Sequence, residues 1–337
     1  MNRIPAIDTL RVFAILAVLT LHARLFRTGG ELAGWERVAE IVLDHASRFA
    51  VPFFFFVAGF LFERGRGEKS RLDRAIPQVK RLLVIYLGWS LILLGEEIAE
   101  RWIRGCLAAG EFTAIMWPDS MIWREGLIYG VRMHLWFLPA LMQCLLVYAV
   151  LGGWRFGGWI ISGLYIAGLA FGAYAPVTGI DIGVWSRNSI FFGTLFVWAG
   201  AKTATRKHPP TLGMALGLIV MGSLSHVAEL ILLHEVWGQE WLHERINFLA
   251  GTALVGIGVG WLALARPGLG GKSWLPALGA FTLGVYILHL DVMRLLAGVT
   301  PFHGIAGQLL LVIVCYAVTI GIVRLIACWN PARKWVC

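Results

Sequence analysis

A stretch near the N-terminus, Asp8-Thr-Leu-Arg11-Val-Phe-Ala-Ile-Leu-Ala-Val-Leu-Thr-Leu-His22, places three ionisable side chains in a run otherwise fit for hydrocarbon. Each is costly there. Histidine titrates near neutral pH and serves as a general base. Arginine offers a planar fork to phosphate or carbonyl oxygens. On a helix, Arg11 and His22 lie roughly 16 Å apart along the axis and about three turns apart, so they share a face. Asp8, three residues before Arg11, can pair with it on that face. The spacing gives a fixed cation at one end of an oily span and a titratable base toward the other. It also keeps Arg11 out of the cluster that reacts at His22.

Other apolar runs carry similar residues. Arg48 precedes "AVPFFFFVAGF", His134 opens "HLWFLPALMQ", His226 and Glu229 stand three apart, and His289 lies in "LGVYILHLD". The plain alternatives are a snorkelling Arg11 paired with Asp8, interfacial His22 and His134, a stabilised buried His226–Glu229 pair, and a structural hydrogen bond at His289. Several ionisable groups at membrane depth need a shared polar interior, which is a mark of a site. Such groups also build substrate and proton paths, so the alternative function is a multi-span transporter or flippase using Arg11, His22, Arg48 and Glu229. No inverted repeat is visible to support it. No carboxylate or cysteine stands at ligand spacing around the histidines, and no metal is expected. The five cysteines have no ligand spacing and imply no disulfide framework.

The elements that must carry these residues are membrane helices. The chain is 58% hydrophobic and 15% charged, with mean hydropathy +0.73. About ten apolar segments (7–26, 38–62, 82–100, 131–151, 157–177, 188–201, 211–234, 246–265, 278–298 and 305–327) approach the ~20 residues that cross a bilayer. They are continuously apolar rather than alternating, which favours helices over a barrel. The fold class is therefore an all-α polytopic membrane helix bundle, with residues 1–337 forming one transmembrane domain. With the N-terminus inside, alternate loops collect Arg64, Arg66, Lys69, Arg71, Arg74, Lys80 and Arg81, then Arg155, Lys202, Arg206, Lys207, Arg266, Lys272, Arg333 and Lys334. This positive-inside pattern places both termini in the cytoplasm. It accounts for the net charge of +9 without a nucleic-acid partner. The same basic surface suits anionic lipid headgroups or an anionic soluble cofactor. The first span is too long and too polar at its start for a cleaved signal peptide. Pro52 is expected to bend the second span, and Ala58-Gly59 to admit a close helix. Trp102, Trp117 and Trp123 mark an outer loop near 101–130 as interfacial.

Five segments in order resemble acyltransferase family 3. They are "IDTLRVFAILAVLTLHA", "SRFAVPFFFFVAGFLF", "KRLLVIYLGW" after the basic loop, "HLWFLPALMQ" and "LGVYILHL". The resemblance spans roughly residues 4 to 295. It implies an integral membrane O-acyltransferase, most commonly an O-acetyltransferase, in the bacterial cytoplasmic (inner) membrane. The donor is cytoplasmic acyl-CoA, typically acetyl-CoA. The acceptor is a hydroxyl on a saccharide, a lipid-linked saccharide or another molecule, reached across the membrane or through a glycan-assembly partner. By this resemblance His22 is the catalytic base or acyl carrier, and Arg11 the essential arginine. His134 then donates to the oxyanion or orients the acceptor. Asp8, Arg48, Arg71, Arg74 and Arg81 are candidates for the donor side. Trp136, Glu229 and His289 are acceptor-side or structural candidates. The chain departs from the pattern twice. Ala58 replaces a common serine, removing a hydroxyl. Val84 follows Arg81 where a second arginine is common, while Arg71 and Arg74 keep the three-residue spacing ten residues earlier.

Overall fold

A computed structural model of the chain describes residues 3–26, 32, 34–109, 132–237 and 248–337. These form helices and no β-strand. Among the described residues, seven helical stretches are long and apolar enough to cross a membrane: Pro5–Phe26, Gly34–Arg64, Arg71–Glu100, His134–Leu151, Leu212–Glu235, Thr282–Val299 and Gly304–Cys328. Gly157–Ala173 and Ala250–Ala265 are apolar but shorter. The described residues of the ten expected segments are largely helical, but 38–62, 188–201 and 278–298 are each interrupted by a turn or bend. Trp117 and Trp123 lie outside the described residues.

Helix α1 (Pro5–Ala23) is central. Pro5 occupies its first turn, where a missing N–H leaves no bond unmade, and Asp8 there complements the helix dipole. The helix runs without a break through both Arg11 and His22. The second segment, in contrast, is two helices, α2 (Gly34–Ser47) and α3 (Ala50–Arg64), with a turn at Arg48–Phe49. Pro52 does not bend a helix midway. It lies in the first turn of α3, where a proline is tolerated. Helix α4 (Arg71–Ala109) follows, then α5 (Phe137–Leu151), entered through a 3₁₀ turn at Met133–Trp136.

Helix α6 (Gly157–Gly168) ends in a π turn, Leu169–Ala173. Two short helices come next, α7 (Ala175–Thr178) and α8 (Trp185–Asn188), before α9 (Ile190–Ala204). The loop between α7 and α8 folds back on the π turn through Ile182 N–H to the Phe171 carbonyl, 2.9 Å. Then come α10 (Leu212–Trp237), α11 (Ala250–Ala265), α12 (Leu275–Gly279), α13 (Thr282–Val299), α14 (Gly304–Cys328) and α15 (Asn330–Val336). Helix α1 touches α2, α3, α11, α12, α13 and α14. Helices α10 and α14 expose Leu224, Ile231, Ile313 and Leu325. Such apolar stripes are at home only against lipid.

Helix ends in an apolar medium need partners for their free N–H groups. Two carboxylates from other helices supply them. Glu229 on α10 accepts from the N–H groups of Ala250 and Gly251, both at 2.8 Å, opening α11. Glu36 on α2 accepts from Ile305 N–H at 3.0 Å, opening α14. A third carboxylate, Glu63 on α3, accepts from Arg66 at 2.9 Å, Arg71 at 3.3 Å and the Tyr148 hydroxyl at 3.0 Å. It ties α3, α4 and α5 together at one end of the bundle.

Helices α3 and α9 meet backbone to backbone. A Cβ on Gly59 would strike the Val197 carbonyl, and one on Gly200 would strike the Phe56 carbonyl. This is the close approach that Ala58-Gly59 implied, and it is carried by the glycine. Either Gly59→Ala or Gly200→Ala is expected to cost about 1–3 kcal/mol. Thermal unfolding of the detergent-solubilised protein measures this. Gly95→Ala on α4, where an added Cβ meets nothing, should leave the midpoint unchanged or raise it slightly.

Candidate active site

The central feature of the bundle is a cavity of about 470 Å³ whose wall includes Arg11, His22, Arg24, Asp44, Arg48, His134, Trp136, Arg187 and Tyr286. Because α1 is continuous, Arg11 and His22 keep the ~16 Å offset that eleven helical residues impose. Arg11 marks one end of the cavity, beside Gly279, Thr282 and Cys337. His22 and Arg24 mark the other.

At the Arg11 end, Asp8 is 5% exposed and sits between two guanidiniums. Arg11 Nη1 donates to Oδ1 at 3.1 Å, and Arg3 Nε donates to Oδ2. Arg3 also donates to the Pro276 carbonyl at 2.6 Å, which pins the start of α1 to α12. Gly279 is required there, since a Cβ would run into the Asp8 carbonyl. The carboxylate thus holds the Arg11 side chain in a fixed direction along the wall. Arg81 reaches the same mouth and donates to the Cys337 carbonyl at 3.1 Å.

Toward the other end three imidazoles follow one another. The ring centroids of His22 and His289 are 5.2 Å apart, and those of His289 and His134 are 5.1 Å apart. His134 and His289 are fully buried, and main-chain carbonyls fix their tautomers. His134 Nε2 donates to the Ile287 carbonyl at 2.8 Å, and His289 Nδ1 donates to the Tyr286 carbonyl at 2.7 Å. The Tyr286 hydroxyl returns a bond to the His134 carbonyl. The remaining ring nitrogens, His134 Nδ1 and His289 Nε2, are buried and have no hydrogen-bond partner among the described residues. In the neutral rings both are acceptors. Neutral His134 can therefore orient a hydroxyl but has no N–H left for an oxyanion. His289 stands behind His22 and His134 rather than on the wall, combining the expected structural bond with direct contact to His22.

A charged lattice backs this trio. Arg132 bonds Glu97 at 2.7 Å, and Arg294 bonds Glu96 at 2.6 Å and Glu100 at 2.8 Å. Asp291 Oδ1 is 3.6 Å from each arginine. These residues join α4, the entry to α5 and α13, with Arg132 two positions before His134 and Asp291 two after His289 in sequence. None of them lines the cavity.

The donor-side candidates do not converge. Asp8, Arg11 and Arg81 sit at one mouth. Arg48 lies at the His22 end, held by Asp44 through bonds of 2.9 and 2.6 Å, with Arg24 3.7 Å from the same carboxylate. Arg71 is engaged by Glu63 and Tyr148, and Arg74 has a buried Nε without a hydrogen bond among the described residues. Glu229 lies away from the cavity. Besides opening α11 it accepts from Tyr174 at 2.5 Å and Ser225 at 2.9 Å. Its neighbour His226 faces His45 across 3.0 Å instead of forming the expected pair. Trp136 is on the wall, with the Arg187 guanidinium 4.7 Å above its ring.

Arg187, Asp44, Arg24 and Tyr286 escaped the sequence reading. Asp44 stands four before Arg48 and Tyr286 three before His289, so helical spacing pointed to both. Arg187 gave no such signal. It sits in a short helix, α8, that follows the fold-back at the π turn and packs against α9.

The chain matches the family model described as an acyltransferase domain, acyltransferase family 3, over residues 4–328. It belongs to that family. The acyltransferase matched no curated protein and no solved structure. Membership decides between the two readings of the buried charges, in favour of a multi-pass membrane enzyme over a transporter. In this acyltransferase, Tyr286→Phe removes one bond of about 1 kcal/mol from the His134 segment. Acyl-transfer rate per folded protein should fall roughly 3- to 10-fold, measured in membranes at matched protein levels.

Proposed function

We propose that the acyltransferase moves an acyl group, typically acetyl, from acyl-CoA to a hydroxyl on a glycan or related acceptor. The supporting observation is that one cavity carries an oriented arginine at one end and the His22–His289–His134 trio toward the other. The donor enters at the Arg11 mouth. Arg11, aligned by Asp8, binds phosphate or carbonyl oxygens of the pantetheine arm. A cavity of about 470 Å³ takes the reactive end of that arm. The nucleotide stays at the mouth, near the basic residues that run from Arg64 through the start of α4 to Arg81. That mouth is the cytoplasmic side of a bacterial inner membrane in this reading.

At His22 a ring nitrogen takes the proton of the acceptor hydroxyl as its oxygen bonds to the thioester carbon. The tetrahedral intermediate collapses, the C–S bond breaks, and the imidazolium returns the proton to the departing thiolate. His134 Nδ1 accepts from a second hydroxyl and turns the acceptor. His289 holds the His22 ring in place. The dry surroundings strengthen each of these interactions.

The test uses purified protein in nanodiscs with radiolabelled acetyl-CoA and a saccharide acceptor. His22→Ala should reduce label transfer by about 10²- to 10⁴-fold; undiminished transfer would overturn the assignment of the base. Arg11→Lys should raise KM for the donor while the folded fraction is unchanged. Full retention of activity would show that a point charge suffices and that the fork has no role.

A further inference from the structure

His134 stands on the cavity wall with one ring nitrogen engaged and the other bare. Nε2 donates to the Ile287 carbonyl at 2.8 Å. A carbonyl oxygen only accepts, so this bond fixes the tautomer, and Nδ1 of the neutral ring is an acceptor. Nδ1 is buried and has no hydrogen-bond partner among the described residues. The whole residue is 1% exposed. Turning the ring to find a partner would break the Ile287 bond, and the Tyr286 hydroxyl, from the same helix α13, grips the His134 carbonyl. A bare acceptor in a dry pocket penalises every occupant that brings it no hydrogen.

The hydroxyl that is acylated does not supply that hydrogen. It has one, and in the reaction that one goes to His22. The two wall imidazoles are separate places, both neighbours of His289. Ring separations of 5.2 Å from His22 to His289 and 5.1 Å from His289 to His134 keep them within about 10 Å of each other. We infer that the acceptor must be a polyol: a second hydroxyl close to the acylated one donates to His134 Nδ1, and molecules with a single hydroxyl are rejected for want of it. This rests on the reading of the cavity as the place where an acceptor hydroxyl meets His22. His134 is then a specificity-determining residue that exchanges no proton. The O–H bond of the second hydroxyl stays intact, and only an O–H···N hydrogen bond forms. Ring sugars and cyclitols fall within the class, and fatty alcohols and serine side chains fall outside it. The amide N–H groups of the pantetheine arm are the competing source of hydrogen.

Two measurements on the full chain in nanodiscs separate this inference from the function it rests on. The first is equilibrium binding, without donor, of cyclohexanol, the cyclohexane-1,2- and 1,3-diols, and the mono-methyl ethers of those diols. Each ether keeps the second oxygen but has no hydrogen on it. Wild type should bind at least one diol about tenfold or more tightly than both cyclohexanol and the matching ether. His134→Phe, which keeps a ring and removes the acceptor, should bring these ratios close to one. The ether comparison needs only wild type and is decisive if His134→Phe does not fold. Equal binding of diol and ether, or a diol preference that survives in folded His134→Phe, overturns the inference. The second measurement is label transfer from radiolabelled acetyl-CoA to the preferred diol. A preference in binding with no transfer by wild type overturns the acyl-transfer reading of the cavity and not the second-hydroxyl site. A His134→Phe effect on KM for acetyl-CoA, with KM for the diol unchanged, assigns Nδ1 to a pantetheine amide and overturns the inference.

Discussion

The bond from His134 Nε2 to the Ile287 carbonyl commits more of this structure than any other contact of its size. It joins the entry of α5 to the middle of α13, two segments more than 150 positions apart in the chain. It consumes the only N–H of a neutral imidazole, and so decides that the opposite nitrogen is an acceptor. The return bond from the Tyr286 hydroxyl makes the connection two-stranded, and His289 is fixed one turn further on by the same carbonyl logic. A buried imidazole with both nitrogens unmatched would be expensive in such a medium. The main chain instead satisfies one nitrogen on each ring, and on the cavity wall His134 Nδ1 is left as an acceptor. The ion lattice of Arg132 and Arg294 braces the same two segments from outside.

The apolar runs made the helices legible, because hydrocarbon leaves the backbone no alternative to internal hydrogen bonding. The Arg11–His22 face was legible for the same reason, since a continuous helix turns spacing into geometry. What spacing could not reach was contact between distant segments. His289 looked like a solitary histidine because its neighbours His22 and His134 come from other parts of the chain. Glu229 looked like half of a site because its true partners are main-chain N–H groups on α11, which no side-chain pattern records. The break at Arg48–Phe49 was not legible because the apolar residues of α2 and α3 join into one segment, 38–62, long enough to be taken as a single span.

Charge in the bundle is sorted by duty. Glu63 and Glu229 each accept from several donors on other segments, and Glu36 accepts from the Ile305 N–H at the start of α14, so all three act as joints. Buried carboxylates with several donors resist disruption better than single ion pairs, since each lone pair has its own partner. Two arginines on the cavity wall, Arg11 and Arg48, are each held by a carboxylate one helical turn away, Asp8 and Asp44.

The unbroken course of α1 has a consequence beyond the placement of two side chains. The helix is a ruler of fixed pitch between Arg11 at one end of the cavity and His22 toward the other. Lengthening it by one residue between Arg11 and His22 would add only about 1.5 Å, but would swing one group about 100° around the axis relative to the other. Evolution of this segment is therefore free to exchange one oily residue for another and closed to insertion or deletion. Nothing in the sequence motif states that constraint. It follows from the absence of any kink in α1 at which the extra turn could be absorbed.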